Sequence, residues 1–440
     1  MKNLTPILHT QDSGFECTFR GILARGKMDI KEVSMKVQAL LDEIKDEGVN
    51  ALLRHVSAFD GWNPKNLEDL LIPSELCKKA YDALDKDTKT ALHSAFDRIY
   101  AFHEKQKEKT WIDIEPNGNI LGQKLTPMQR AGLYIPGGKA AYPSSLLMNA
   151  IPAIVAGVEE IVVCTPTPHN QPNELLLCAL HLCGIKKAYK VGGASAVGFM
   201  AYGDLAHNIK GVDVITGPGN IYVATAKKLV FGDVNIDMIA GPSEIGIIAQ
   251  KGANARYIAW DLLSQAEHDE LASAILLSDD LTLIESVRAE ITQILPTLSR
   301  KEITQKSMQN RSIFIHTKDL EQSIELMNEI APEHLEILTP EPFSLLPKIK
   351  NAGAIFLGEY ASEPIGDYLA GPNHTLPTGG SARFFSPLGV EHFMKKSSII
   401  SFSKQAMLEL GESCARLAHI EGLQSHQMAV LERLKNLKQL

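Results

Sequence analysis

Three times between residues 131 and 229 an apolar stretch runs into a glycine turn and out into a helical pattern. The stretches are Ala131-Gly-Leu-Tyr-Ile-Pro-Gly-Gly138, Lys187–Val191 before Gly192-Gly193, and Val212–Ile215 before Gly217-Pro-Gly-Asn220. Between them lie a strand-like Glu160–Cys164 and a helical Glu174–Cys183. The rhythm resumes beyond Ile239-Ala-Gly-Pro-Ser-Glu-Ile-Gly-Ile-Ile-Ala249, with strands at 272–277, 311–315, 335–338 and 354–357 and helices at 281–295 and 324–330. Strands alternating with helices at this pace predict an α/β fold with doubly wound parallel sheets.

The flanks are organised differently. Residues 1–29 carry little hydrophobic periodicity and are expected to form an N-terminal arm. Residues 30–44 and 75–109 are helical, and 50–59 is a strand or a short helix. Trp111–Ile114 and Gly118–Gln123 read as a hairpin pair. The tail, 389–440, ends in an amphipathic helix from Glu421 to Leu437 with no strand to cover, the kind of tail that docks on a second subunit. The expected domains are therefore the arm, a discontinuous α/β domain of 30–133 with 243–388, a second α/β domain of 134–242, and the tail.

Bulk properties narrow the partners. The net charge is −8 and no long Lys/Arg run appears, which disfavours nucleic acid. The most apolar region, 146–163, is broken by Asn149, Pro152 and Glu159-Glu160, so it is a helix and a strand and no membrane span. The six cysteines form no C-x-x-C pair, and Met1-Lys-Asn-Leu-Thr-Pro has no apolar signal core. A cytoplasmic protein with reduced thiols is expected.

Four stretches could carry chemistry. In Asp261-Leu-Leu-Ser-Gln-Ala-Glu-His268, Gln265 and His268 stand three apart and share a helix face, half of an oxygen/nitrogen metal site suited to zinc or manganese. Ala331-Pro-Glu-His-Leu-Glu336 sets Glu333 beside His334 at a helix-to-strand junction, two proton-handling groups within one site's reach. The loop Pro364-Ile-Gly-Asp-Tyr-Leu-Ala-Gly-Pro-Asn-His374 carries Asp367 and His374. Ile420-Glu-Gly-Leu-Gln-Ser-His426 carries Glu421 and His426. Each alone also fits an ordinary solvated surface. The glycine turns suit backbone approach to a pyrophosphate, but none is a G-x-G-x-x-G fingerprint, and tight turns in any α/β protein would explain them.

Together these segments resemble histidinol dehydrogenase. The likeness rests on Tyr134-Ile-Pro-Gly-Gly with Tyr142-Pro-Ser-Ser, Gly217-Pro-Gly-Asn, Ala240-Gly-Pro-Ser-Glu, Asp261-Leu-Leu-Ser-Gln-Ala-Glu-His, Ala331-Pro-Glu-His-Leu, and Gly366-Asp-Tyr with Asn373-His-Thr-Leu-Pro-Thr. They run in the same order over nearly the whole chain. The resemblance implies two incomplete Rossmann-like domains and oxidation of L-histidinol to L-histidine through histidinaldehyde, with two NAD⁺ used in turn and one Zn²⁺ per subunit.

It also implies roles for particular residues. Gln265, His268, Asp367 and His426 match zinc ligands that leave positions open for substrate nitrogens. His334 matches a general base for the hydroxyl proton, and Glu333 a carboxylate that activates water on the aldehyde. Ser243, Glu421 and His374 match substrate contacts, with Ser144 and Ser145 as weaker candidates; Gln265, His268, His334, Asp367 and His426 border the same substrate. Tyr134 and Asn220 match NAD contacts. Ser195 stands where the family commonly has glutamine in Gly-Gly-Ala-Gln, so one hydrogen bond to NAD is in doubt and altered NAD affinity is expected. A tail exchanged within a homodimer would bring Glu421 and His426 to the other subunit's site. Two other readings stay open: a related scaffold oxidising another small polar alcohol, and a zinc-dependent binding or assembly protein without turnover.

Overall fold

The computed structural model describes residues 5–24, 31–137 and 143–439, in two compact units: 1–106 with 128–393, and 107–127 with 394–440. The first unit holds two parallel sheets. One has five strands in the order Asn235–Ile236, Val214–Thr216, Arg130–Tyr134, Glu160–Thr165, Lys187–Lys190. The other has six, in the order Ile7–His9, Ile313–His316, Ser273–Ser278, Glu244–Ala249, His334–Leu338, Ala354–Leu357.

The sequence accounts for this pattern locally. Ser273–Ser278 is buried along its whole length, as a strand covered on both faces must be. Helices that follow the strands begin at residues whose side-chain oxygens accept from their first free amides. Asn173, Asn220, Asn254, Asp280 and Asp319 all cap in this way. Apart from the edge strand Ile7–His9, the chain in each sheet starts at an inner strand, winds to one side and returns to the other. The crossover point therefore lies between Arg130–Tyr134 and Val214–Thr216 in one sheet, and between Glu244–Ala249 and His334–Leu338 in the other.

Several expectations are corrected. Within the expected arm, Ile7–His9 is an edge strand paired with Ile313–His316. Phe15, Phe19 and Ile22 of the helix Phe15–Ala24 are buried with Ile275, Ile313 and Ile324. Three apolar residues at four- and three-residue spacing are enough to dock so short a helix; residues 1–4 and 25–29 lie outside the described residues. The helices Lys31–Glu47 and Val49–Phe59 pack on the five-stranded sheet rather than the six-stranded one. Leu41, Ile44 and Leu52 share a core with Phe199 and Val223. The 133/134 boundary cuts through Arg130–Tyr134, which is the middle strand of that sheet.

The second unit is a three-stranded antiparallel sheet and a helical hairpin. Ile120–Pro127 pairs with Trp111–Ile114 on one side and with Met394–Ser401 on the other, so the tail does contain a strand. The helix expected over 421–437 is Gln424–Gln439, and a separate helix, Lys404–Ile420, precedes it. Gly422, with φ of 74°, breaks them: its amide donates to His419 and that of Leu423 to Ala418, a left-handed helix end. Glu421 is thus the cap of one helix and His426 lies in the first turns of the next, not on one continuous face. Leu434 packs against Gly411, where no side chain stands in its way.

Candidate active site

The strand His334–Leu338 is entered from the helix Leu320–Ile330 through Ala331, whose φ of 50° is rare outside glycine. That turn delivers Glu333 and His334, both buried, to the amino-terminal edge of the sheet beside Glu244. Glu333 Oε2 accepts the Glu244 backbone N–H at 2.8 Å and lies 3.8 Å from His334 Nδ1. Nδ1 in turn is 3.2 Å from the carbonyl oxygen of Glu244. A carbonyl only accepts, so Nδ1 carries the proton of the neutral ring and Nε2 is its basic atom. Nε2 is buried without a hydrogen-bond partner, 3.7 Å from Asp367 Oδ1.

Electrostatics single out the pair. Burial opposes charge on His334, but Glu333, Asp367 and Glu363 together outweigh it and push the imidazole up to about 10. Burial pushes the Glu333 carboxyl up to about 8, against the pull of His334. Two adjacent groups so displaced are proton-transfer candidates on physical grounds.

Gln265 closes the helix Ala255–Ala266 and His268 follows just beyond it. Gln265 is 1% exposed, and neither its amide oxygen nor its amide nitrogen has a partner. An unbonded buried amide costs about 1–3 kcal/mol, which makes a missing ligand the natural complement. Asp367 arrives on the π-helical turn Gly366–Ala370, a geometry frequent at functional sites. Ligand atoms of His268, Glu363 and Asp367 lie within 4.8 Å of one another. Burial holds His268 below its usual value against the pull of Asp367, which favours the neutral ring a metal needs. Burial works against ionisation of Asp367, yet His334, His374 and His268 around it hold its carboxyl low. An amide, an imidazole and carboxylates fit a divalent cation of zinc type.

Sequence reasoning passed over Glu363. The signal was present: Glu363 and Asp367 stand four apart, the helical spacing that had marked Gln265 and His268 at three. His334, Asp367 and His374 line a cavity of about 620 Å³ walled by Phe102, Phe356 and Leu376. His374 Nε2 is another buried atom without a partner. Ser243 is half-buried, one residue before Glu244.

The second group of expected residues lies at the carboxyl edge of the five-stranded sheet, where a doubly wound fold takes its ligand. Tyr134 ends the middle strand, and its hydroxyl accepts the Gly193 amide at 3.3 Å. Gly217 has φ of 120°, and a side chain there would strike the Tyr134 carbonyl, so only glycine fits. Its N–H donates to Asp237 at 2.8 Å and its carbonyl accepts from Lys227 at 2.9 Å; Lys227 and Asp237 form a buried ion pair. The Asn220 side-chain oxygen caps the helix Ile221–Val230, leaving its amide NH₂ for a ligand. Ser195 is buried with its hydroxyl on His55, whose other nitrogen meets Glu43. Ser145 is buried and Ser144 half-buried in the helix Pro143–Ala156; Gly138 and Tyr142 lie outside the described residues.

The two edges are joined through Asn149. It accepts from Thr216 Oγ1 at 2.9 Å and donates to Thr375 Oγ1 at 3.3 Å, next to His374. The first unit thus brings together Glu333, His334, His374, Asp367 and the Gln265–His268 turn. Glu421 and His426 are exposed residues of the second unit. Among the described residues no helix is long and apolar enough to cross a membrane.

Comparison with known proteins points one way. The family profile described as Histidinol dehydrogenase matches residues 23–434. The chain is 68% identical to the histidinol dehydrogenase of Helicobacter hepaticus over 424 residues, 96% of this chain and 97% of that one. It is 61% identical to that of Wolinella succinogenes, over 97% of this chain and 98% of the relative. The crystal structure of histidinol dehydrogenase from Elizabethkingia anophelis superposes with a TM-score of 0.93 at 33% identity, covering 99% of each chain.

Proposed function

The chain belongs to the histidinol dehydrogenase family, and we propose that it oxidises L-histidinol to L-histidine in two steps, each delivering a hydride to NAD⁺. The observation that carries this reading is the orphaned Gln265 amide, buried three residues before a histidine that shares a donor cluster with Asp367, beside the proton-handling pair Glu333–His334.

Gln265, His268 and Asp367 would hold Zn²⁺, with His426 as the fourth protein ligand, and the ion would orient the substrate through its amine and imidazole nitrogens. His334 takes the hydroxyl proton at Nε2 as hydride leaves the carbinol carbon for the nicotinamide, giving the aldehyde. The Asp367 charge that helps raise this imidazole is the charge a bound cation would take up, which brings the ring back toward the range of a working base. Glu333 then draws a proton from water as its oxygen adds to the aldehyde carbon. The hydrate loses its remaining carbon-bound hydrogen as hydride to a second NAD⁺ and a hydroxyl proton to His334, leaving the carboxylate. The sum is one alcohol, one water and two NAD⁺ giving one carboxylate, two NADH and three protons.

Ser243 and His374 face the substrate in this reading, and Glu421 offers an anion to a partly cationic imidazole. Tyr134 and the free amide of Asn220 hold NAD at the carboxyl edge of the five-stranded sheet. Glu421 and His426 complete the site of a second copy, which makes the active species a homodimer working in the cytoplasm. The test is NADH formation with L-histidinol before and after chelation and zinc repletion. Two NADH per histidinol, lost with chelator and regained with zinc, is the expected result. A zinc-loaded protein that ignores histidinol but oxidises another amino alcohol would overturn it.

A further inference from the structure

We propose that Glu363 is a further donor to the metal, supplied by this chain and closing the site before substrate arrives. The proposal rests on the reading of Gln265, His268 and Asp367 as metal ligands. Four donors then come from two stretches of chain: Gln265 in the last turn of its helix with His268 just beyond it, and Glu363 and Asp367 four apart on consecutive helical turns. The ligand atoms of His268, Glu363 and Asp367 already lie within 4.8 Å of one another, and Gln265, 1% exposed, keeps both amide atoms unbonded.

The surroundings of Glu363 hold it in position. It is 1% exposed. Ser264, the neighbour of Gln265, donates its hydroxyl to Glu363 Oε2 at 2.6 Å. The Glu363 backbone N–H donates to Glu336 Oε1 at 2.8 Å, and Glu336 is itself fully buried with Oε2 unpartnered. Asp261, the residue that opens the motif, lies against Glu336. No lysine or arginine among the described residues pairs with Asp261, Glu336, Glu363 or Asp367. Several buried carboxyl groups with only neighbouring imidazoles, chiefly His334, to offset them are costly, and a divalent cation at the open end of the cluster would relieve that cost. Ser264 gives the carboxylate an alternative partner, so Glu363 yields its place when a substrate nitrogen arrives and remains hydrogen-bonded.

The test uses the full-length protein stripped of metal and reloaded with Co²⁺, whose visible absorption reports its ligands, with zinc affinity measured in parallel by chelator competition. Glu363→Gln keeps the shape and the Ser264 bond while removing the anionic donor. Expected are zinc and cobalt affinities weakened on the order of ten-fold or more, and a changed spectrum in the substrate-free form that converges on wild type when L-histidinol is saturating. Unchanged affinity with an unchanged spectrum overturns the proposal. If Glu363→Gln does not fold, Glu363→Asp carries the same expectation, because one methylene less withdraws the donor while keeping the charge. If the wild-type protein takes up neither metal, the ligand reading fails as well. If wild type binds and the variants match it, only the role of Glu363 falls.

Discussion

Ser195 Oγ and His55 Nδ1 stand 2.9 Å apart in the core, and His55 Nε2 continues to Glu43 at 3.0 Å. The hydroxyl at the position where the family commonly has an amide is therefore engaged inward. Ser195→Ala leaves a buried imidazole nitrogen unbonded and is expected to cost about 1–3 kcal/mol in chemical denaturation, with the KM for NAD unchanged. A raised KM at unaltered stability would mean that the hydroxyl serves the nucleotide after all.

Glu333 and His334 are expected to separate kinetically. His334→Gln should slow both oxidations, while Glu333→Gln should slow the aldehyde step by roughly 10²–10⁴-fold, the usual range for a lost general base, and spare the first. Single-turnover counting of NADH from L-histidinol and from histidinaldehyde distinguishes them. Equal losses in both variants on both substrates would refute the division of labour.

Asp60, near the proposed NAD contact Tyr134, provides a pH test. Burial pushes its carboxyl from 3.8 up to about 6. Between those values the unfolded chain gives up its proton before the folded one, so stability falls as pH rises through that window and stays lower above it. Asp60→Asn removes the effect. The variant is expected to match wild type near pH 4 and to exceed it by about 1–2 kcal/mol at pH 7, a figure discounted for the group's partial burial. A constant difference across that range would show that the carboxyl is paired in solution.

Shared sites predict complementation. His268→Ala and His426→Ala are each expected to be inactive, and co-refolding them should restore part of the activity, since every heterodimer carries one intact site. Mixtures as inactive as the parents would mean that each chain completes its own site.

The sequence laid out the parallel sheets well, because buried strands, asparagine and aspartate caps and glycine turns are all local signals. Helix-to-strand delivery of Glu333 and His334 was readable for the same reason. What escaped depends on distant partners. Ile7–His9 is too short to declare itself and becomes a strand only because Ile313–His316 presents an open edge. The continuous periodicity of the tail hid the break at Gly422, where the backbone turns left-handed. Glu363 had a local signal in its four-residue spacing to Asp367, but its place beside His268, almost a hundred positions away, emerges only in the fold. The inward bond of Ser195 required His55, which nothing in the motif names.

Lys227 and Asp237 brace the Gly217 turn from both sides, one on its carbonyl and one on its amide, in a core that tolerates neither charge alone. That has a consequence for how this chain can change over generations. Altering either residue first leaves the other stranded, so each single step leads downhill even where the doubly altered protein would be sound. Random mutagenesis that samples one codon at a time will find this loop nearly immovable. A library meant to reshape the cofactor edge must therefore vary both codons together.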